Sequence, residues 1–308
     1  MRQLIASLGE KINSGQLNKK AGRLSTALGL GIVLLLVGYA GLSIYCDGPP
    51  LLEYLSNANP WGIALSLPTY SVALGLAIWG WSAIVGMLTG VSGFRKHARI
   101  YCYTNLAKRV PGVLWYVLGR IYFYRDDRAD GIAVSVASLI EIVLIILSGF
   151  VTYLLLGSKA WSNGPSIWLP LGVLLGLVGI HPKILRLILG RIRQAEALAV
   201  LRYRELLVWL CLYVGVWNMG GLTLFCVINS IHPISLTHIP AIIGAWSLSG
   251  AIASLVIFLP SGLGLREVTL TVMLMPYVPG AIAVVISLLM RILLTMYEIL
   301  WLLIATRL

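Results

Sequence analysis

The sequence predicts an all-α polytopic membrane protein, and three observations carry that prediction. Apolar residues make up 59% of the 308-residue chain and charged residues only 11%, where a soluble domain carries about 25% charged. The mean hydropathy is +0.91. Apolar runs long enough to cross a hydrocarbon core of about 30 Å recur along the chain and alternate with basic segments. Hydropathy marks about eight such elements, two of them interrupted by proline and glycine, so the expectation is about six full transmembrane helices plus two re-entrant hairpins. Together they form a single transmembrane domain, 1–308.

Residues 1–23 place Arg2, Lys11, Lys19, Lys20 and Arg23 around Ile5, Leu8 and Ile12 at near-helical spacing, which predicts a short helix on the cytoplasmic membrane surface. Leu24 to Cys46 is longer than the apolar stretch of a cleavable signal and reads as a retained span. Asp47 to Pro60 has no lysine or arginine and belongs outside, and a second span covers Leu65 to Gly90. The basic stretch opened by Arg95 and Lys96 leads into RVPGVLWYVLGR, Arg109 to Arg120, where Pro111 and Gly112 break a segment too short on either side to cross. It reads as a hairpin around 100–124, dipping in from the cytoplasm. Ile132 to Leu156 then spans outward and carries Glu141.

Ser158 to Ser166 is an outer loop, and Ile167 to His181 returns as a short span. From Pro182 to Glu205 the chain is basic above a stripe of Leu185, Ile188, Leu189 and Ile192, the pattern of an amphipathic cytoplasmic helix. Leu206 to Ile228 spans outward. Ala241 to Leu259 descends to PSGLGLRE and Thr269 to Met275 climbs back, giving a hairpin around 240–276 entered from outside or a broken crossing. Gly280 to Ile304 is the last span. This layout puts twenty of the 23 lysines and arginines on the cytoplasmic side with both termini, leaves Lys159 outside, and buries Arg266 and Arg291. That asymmetry obeys the positive-inside rule.

The halves, 1–157 and 158–308, start on opposite sides and repeat one order: two spans, an interrupted hairpin, and a third span with a charge. From Pro111 to Glu141 is 30 positions and from Pro260 to Arg291 is 31. Paired interrupted segments in inverted halves point to a midplane site; two hairpins that arose without symmetry are the other reading.

FLPSGLGLREV, Phe258 to Val268, is where the chemistry concentrates. Pro260 lacks a backbone donor, and Gly262 and Gly264 permit turns that other residues resist. A charge at bilayer depth costs about 2.5–3.5 kcal/mol, so Arg266 and Glu267 must face protein or water. Arg120, Arg266 and Arg291 stand against Glu141, Glu267 and Glu298. Ser287, Arg291, Thr295 and Glu298 form one stripe of the last span, and Ser138, Glu141, Ser148 and Thr152 one stripe of the third. One reading is a path for an amphiphile, with arginines attracting a lipid phosphate; the other is a set of structural ion pairs, Arg291 with Glu298 among them. Lys108 and Arg109 read as a solvated hairpin mouth.

The charge of +12 alternates with spans and forms no single patch, which argues for topology and anionic headgroups and against nucleic acid. Cys46, Cys102, Cys211 and Cys226 have no CxxC spacing, and His97, His181, His232 and His238 fall in no ligand pattern. The expectation is therefore no metal site, no cofactor, no catalytic residue and no enzyme. Asp126 and Asp127 sit among arginines and read as a surface cluster.

PSGLGLRE followed by an apolar span with Arg291 resembles the carboxy-terminal signature, PGGLGxRE, of the lysylphosphatidylglycerol synthase transmembrane, flippase-like family; Ser261 stands at a glycine of that pattern. LAKRVPGVLWYVLGR, with Glu141 about twenty residues on, resembles that family's first proline-glycine motif. The resemblance covers nearly the whole chain. It implies a multi-pass protein of a bacterial or archaeal plasma membrane that translocates or binds an anionic phospholipid or a polyprenyl-phosphate-linked lipid. By it, Pro111, Gly112 and Arg120 match the first motif and Pro260, Gly262, Gly264, Arg266 and Glu267 the second. The soluble aminoacyl-transferring domain of larger relatives has no counterpart in this sequence. The alternative is a non-catalytic accessory or scaffold subunit for a cell-envelope glycosyltransferase, motivated by the basic cytoplasmic surface; such a glycosyltransferase or a second copy of the chain would be its protein partner.

Overall fold

The computed structural model describes residues 58–108, 114–127, 129–157, 168–189, 201–255 and 264–307, with no strand among them. The described helices are α1 Pro60–Thr89, α2 Phe94–Ala107, α3 Leu114–Tyr124, α4 Gly131–Thr152, α5 Trp168–Gly179, α6 Pro182–Leu189, α7 Tyr203–Ile231, α8 Ile239–Leu255, α9 Leu265–Leu274 and α10 Gly280–Arg307. Among the described residues, five stretches are long and apolar enough to cross a bilayer: Pro60–Thr89, Gly131–Gly157, Tyr203–Ile231, Leu236–Leu255 and Gly280–Arg307. The protein is all-helical and built for a membrane. The surface helix and first span expected in residues 1–46 lie outside the described residues, as do Pro111, Gly112, Pro260 and Gly262.

Expected boundaries shift where caps decide them. The span expected from Leu65 begins at Pro60, because Pro60 occupies the first helical turn and the Asn59 carboxamide accepts the Trp61 N–H at 3.0 Å. The same helix ends at Gly90, whose φ of 71° suits glycine and whose N–H returns to the Gly86 carbonyl. The amphipathic helix expected over Pro182 to Glu205 appears as α6, which begins at Pro182; residues 190–200 are not among those described.

α1 and α7 run antiparallel at the centre. The Asn59 N–H donates to the Ser230 carbonyl at 2.7 Å, which sets the start of α1 at the end of α7, and Gly80 faces the Tyr213 ring toward the other end. α8 folds against α4 and α7 through small residues. Gly157, in the π turn Tyr153–Gly157 that closes α4, lies so near α8 that a Cβ there would meet the Gly244 Cα at 2.8 Å. With no hydrophobic drive between helices in lipid, this backbone approach is what holds the pair together. Gly244→Ala should push α8 from α4 and lower stability by about 1–3 kcal/mol, read as a fall in Tm in detergent.

The two interrupted segments are both hairpins whose ends meet. Lys96 pairs with Asp127, and the His97 Nδ1 lies 2.6 Å from the Tyr124 hydroxyl, closing the base of α2 and α3. The His238 and Tyr277 rings, 5.2 Å apart, close the base of α8 and α9, so the chain returns to the end it left. The first base follows the end of α1 and the second follows the end of α7, at opposite ends of an antiparallel pair. The two hairpins therefore enter the bundle from opposite ends.

Candidate functional site

Each half places an ion pair between the returning arm of its hairpin and the next helix. In the first half Arg120 on α3 pairs with Glu141 on α4, and both side chains are fully buried. In the second half Glu267 on α9 pairs with Arg291 on α10. The pairs are reciprocal: the arginine is on the hairpin in one half and on the following helix in the other. Arg291 is thus tied to Glu267 and not to Glu298, seven residues along its own helix, because α9 packs against α10 and brings a carboxylate across.

Glu141 accepts three hydrogen bonds. Its Oε2 accepts from Arg120 and from the Tyr116 hydroxyl, and its Oε1 accepts from the Tyr213 hydroxyl at 3.2 Å. The Arg120 guanidinium lies 3.4 Å from the Trp81 ring centre and 4.0 Å from that of Tyr116, held between two aromatic faces. Ser138, Ser148 and Thr152 of the same α4 stripe are also fully buried. Their hydroxyls return to carbonyls of their own helix.

Arg266 and Glu267 fall in the first turn of α9, two and three residues past Gly264, where the chain turns with a φ of 84°. Glu267 accepts the Gly264 N–H at 2.8 Å while its other oxygen holds Arg291, so it caps the helix and pairs across to α10 together. Arg266 points elsewhere, with its guanidinium 4.0 Å from the Trp246 ring centre. Gly250, beside it, makes space for the Trp217 ring. A Cβ there would run into the Trp217 ring and stand 3.6 Å from Arg266 Nη2.

A cavity of about 350 Å³ lies between the hairpins. Arg266, Glu267, Arg291 and Glu298 all line it. Arg120 and Glu141 stand directly behind it, linked through Tyr116 and Tyr213, whose rings form part of its wall. The six charged residues singled out in the sequence therefore converge on one place. Ser287 continues the α10 stripe into the wall, and its hydroxyl accepts from Thr271 of α9 at 3.0 Å.

Lys108 belongs here as well. The sequence reading put it at a solvated mouth, but its ammonium lies 4.2 Å from the Tyr116 ring centre and lines the cavity at the end of α2. Asn105, one turn earlier, donates to Glu298 at 3.1 Å. Their i, i+3 spacing on the face toward Glu298 is the signal that would have found them. Trp217 and Trp246 were hidden because aromatic residues in apolar runs register only as hydropathy.

Lys108, Arg266 and Arg291 thus set three cations around an aromatic-walled space that also holds Glu267 and Glu298. Such a site suits an anion with an apolar or ring-bearing body. The described residues hold no cluster of His, Cys, Asp or Glu fit for a metal ion. No family model matches the chain, and no curated protein matches it.

Proposed function

We propose that the protein is a flippase-like membrane protein that binds the phosphate of an anionic phospholipid or polyprenyl-phosphate-linked lipid in this cavity and moves that lipid between leaflets. One observation carries the reading: hairpins rooted at opposite ends of the bundle bring Lys108 from one and Arg266 from the other to the same cavity. A site reached by elements from both faces is what alternating exposure of a headgroup requires. Arg266 offers a guanidinium fork for phosphate, and Lys108 adds positive charge to the same cavity. The resemblance of PSGLGLRE and RVPGVLWYVLGR to the flippase-like family supports the same conclusion. In this reading six helices span, the two hairpins re-enter, and the halves form an inverted repeat in a plasma membrane with both termini cytoplasmic.

Proteoliposomes carrying fluorescent phosphatidylglycerol or fluorescent phosphatidylcholine test the reading by chemical quenching of the outer leaflet. The anionic reporter should exchange faster than the zwitterionic one, and faster than in protein-free vesicles. No protein-dependent exchange of the anionic reporter would overturn it and leave the accessory-subunit reading in front. Orientation has its own check. In a cysteine-free background, a cysteine at the exposed Thr237 should label from outside intact cells, and one at the exposed Arg95 only after lysis.

A further inference from the structure

The third span of each half meets the opposite half in one register. Gly131 and Gly280, which open α4 and α10, are 149 positions apart, and the contacts of the two helices fall into line at that offset. Ser148 of α4 accepts from Trp217 of α7 at 3.1 Å; its counterpart, Tyr297 of α10, is bonded to Ser66 of α1 at 2.6 Å. Gly149 lies against α8, where a Cβ would meet the Ala251 Cβ at 2.8 Å; its counterpart, Glu298, accepts from Asn105 of α2 at 3.1 Å. Each third span thus takes the central helix and the hairpin of the other half. The correspondence fails at one face. α4 is also covered by α5: Leu147 is 6% exposed, and a Cβ on Gly176 would meet its Cδ1 at 2.7 Å. The counterpart of Leu147 on α10 is Met296, which is 59% exposed, with Ile292 one turn before it at 57% and Leu300 one turn after at 41%.

α5 is the first span of the second half, so its counterpart is the first span of the first half, Leu24 to Cys46, which lies outside the described residues. The sequence of that segment carries the matching surface. Leu35 to Leu42 reads LLVGYAGL and Val173 to Ile180 reads VLLGLVGI, apolar throughout with glycine at the fourth and seventh places, so Gly38 corresponds to Gly176. We infer that Leu24 to Cys46 packs along the exposed face of α10, with Gly38 over Met296 as Gly176 lies over Leu147. A glycine lets the facing side chain come up to the backbone, the close approach on which helix pairs in lipid depend. The connection allows it: residues 47–59 reach about 40 Å when extended, and α1, which they lead into, already touches α10. α10 runs in the direction of α1, since Ser66 meets Tyr297 and Ser71 meets Trp301, so a span that precedes α1 runs against both. α10 then turns Arg291 and Glu298 to the cavity and Met296 to protein, braced on both sides as α4 is.

This inference rests on the inverted repeat of the reading proposed above and not on lipid binding, and the test keeps the two apart. The full chain is made cysteine-free with a protease site inserted at Asn57, and cysteine pairs are oxidised with copper phenanthroline in native membranes. Cleavage and a non-reducing gel then show whether the amino-terminal fragment stays attached. Leu42→Cys with Ile292→Cys, and Leu34→Cys with Leu300→Cys, should hold it in most molecules. Leu42→Cys with Val72→Cys, on an exposed face of α1, should release it. Adding Gly38→Leu to either bonding pair should abolish attachment. Release of the fragment in every pair would overturn the inference and leave lipid on this face of α10, and disulfide dimers of the whole chain would overturn it in favour of a second copy there. Attachment through Val72 alone would overturn the choice of α10, and attachment that survives Gly38→Leu would overturn the place given to Gly38. A fragment held at Ile292 and Leu300 in a protein that exchanges no lipid would overturn the transport reading and leave this packing standing.

Discussion

Glu141→Leu, with Arg120 left in place, should lower stability by about 3–5 kcal/mol and leave little folded protein. Both partners are fully buried, so the change strands a guanidinium between Trp81 and Tyr116 with its only ionic partner among the described residues gone. It also removes the acceptor of the Tyr116 and Tyr213 hydroxyls, two further buried donors. Glu141→Gln should fall between leucine and wild type, since an amide oxygen still accepts from a tyrosine. The double variant Arg120→Met, Glu141→Leu should recover most of the folded protein. Methionine keeps the stack between the two rings, no charge is left uncompensated, and the two tyrosine hydroxyls account for the remaining deficit. Fluorescence-detected size exclusion and Tm in detergent read all three. A Glu141→Leu protein that melts with the wild type would show that Arg120 finds another partner, and the pair would lose its structural role.

The wider arrangement was legible because lipid imposes simple rules. Apolar length and the lysine and arginine ledger mark helices and connections, and a charge that cannot face lipid must face the interior. That argument, with the opposed charges and the motif resemblance, singled out Arg120, Glu141, Arg266, Glu267, Arg291 and Glu298; the last four line one cavity, and the Arg120–Glu141 pair lies behind its tyrosine wall. Pairing was not legible. Spacing on α10 invited Arg291 to Glu298, whereas the partner comes from α9, a long-range contact that no local period encodes. That the two ends of the stretch 240–276 come together, His238 against Tyr277, is again a contact between distant positions. Lys108 was misplaced for the opposite reason: near a proline-glycine break a lysine resembles every other surface lysine, and only the approach of Tyr116 and of the facing α10 makes it interior.

The reciprocal pairs also decide which arginine tests transport cleanly. Arg291→Leu would strand Glu267, which is 3% exposed and also caps α9, so lost transport in that variant would be confounded with lost fold. Arg266 is different: its guanidinium stacks on Trp246 and faces the cavity, a contact that leucine keeps in part. Arg266→Leu should therefore insert, remain monodisperse and melt close to wild type. Its movement of an anionic lipid should fall about tenfold to a hundredfold, the value of one charge-assisted contact to phosphate made in the moving state. Arg266→Lys keeps the charge but not the fork, so it should retain partial exchange with weaker lipid affinity. Glu267→Gln should act mainly through stability, because the amide still accepts the Gly264 N–H but no longer neutralises Arg291. The leaflet-exchange assay and Tm are measured on the same preparations. Full lipid movement by a well-folded Arg266→Leu protein would make the charged turn architectural, since the cavity would then work without the cation that the second hairpin brings to it.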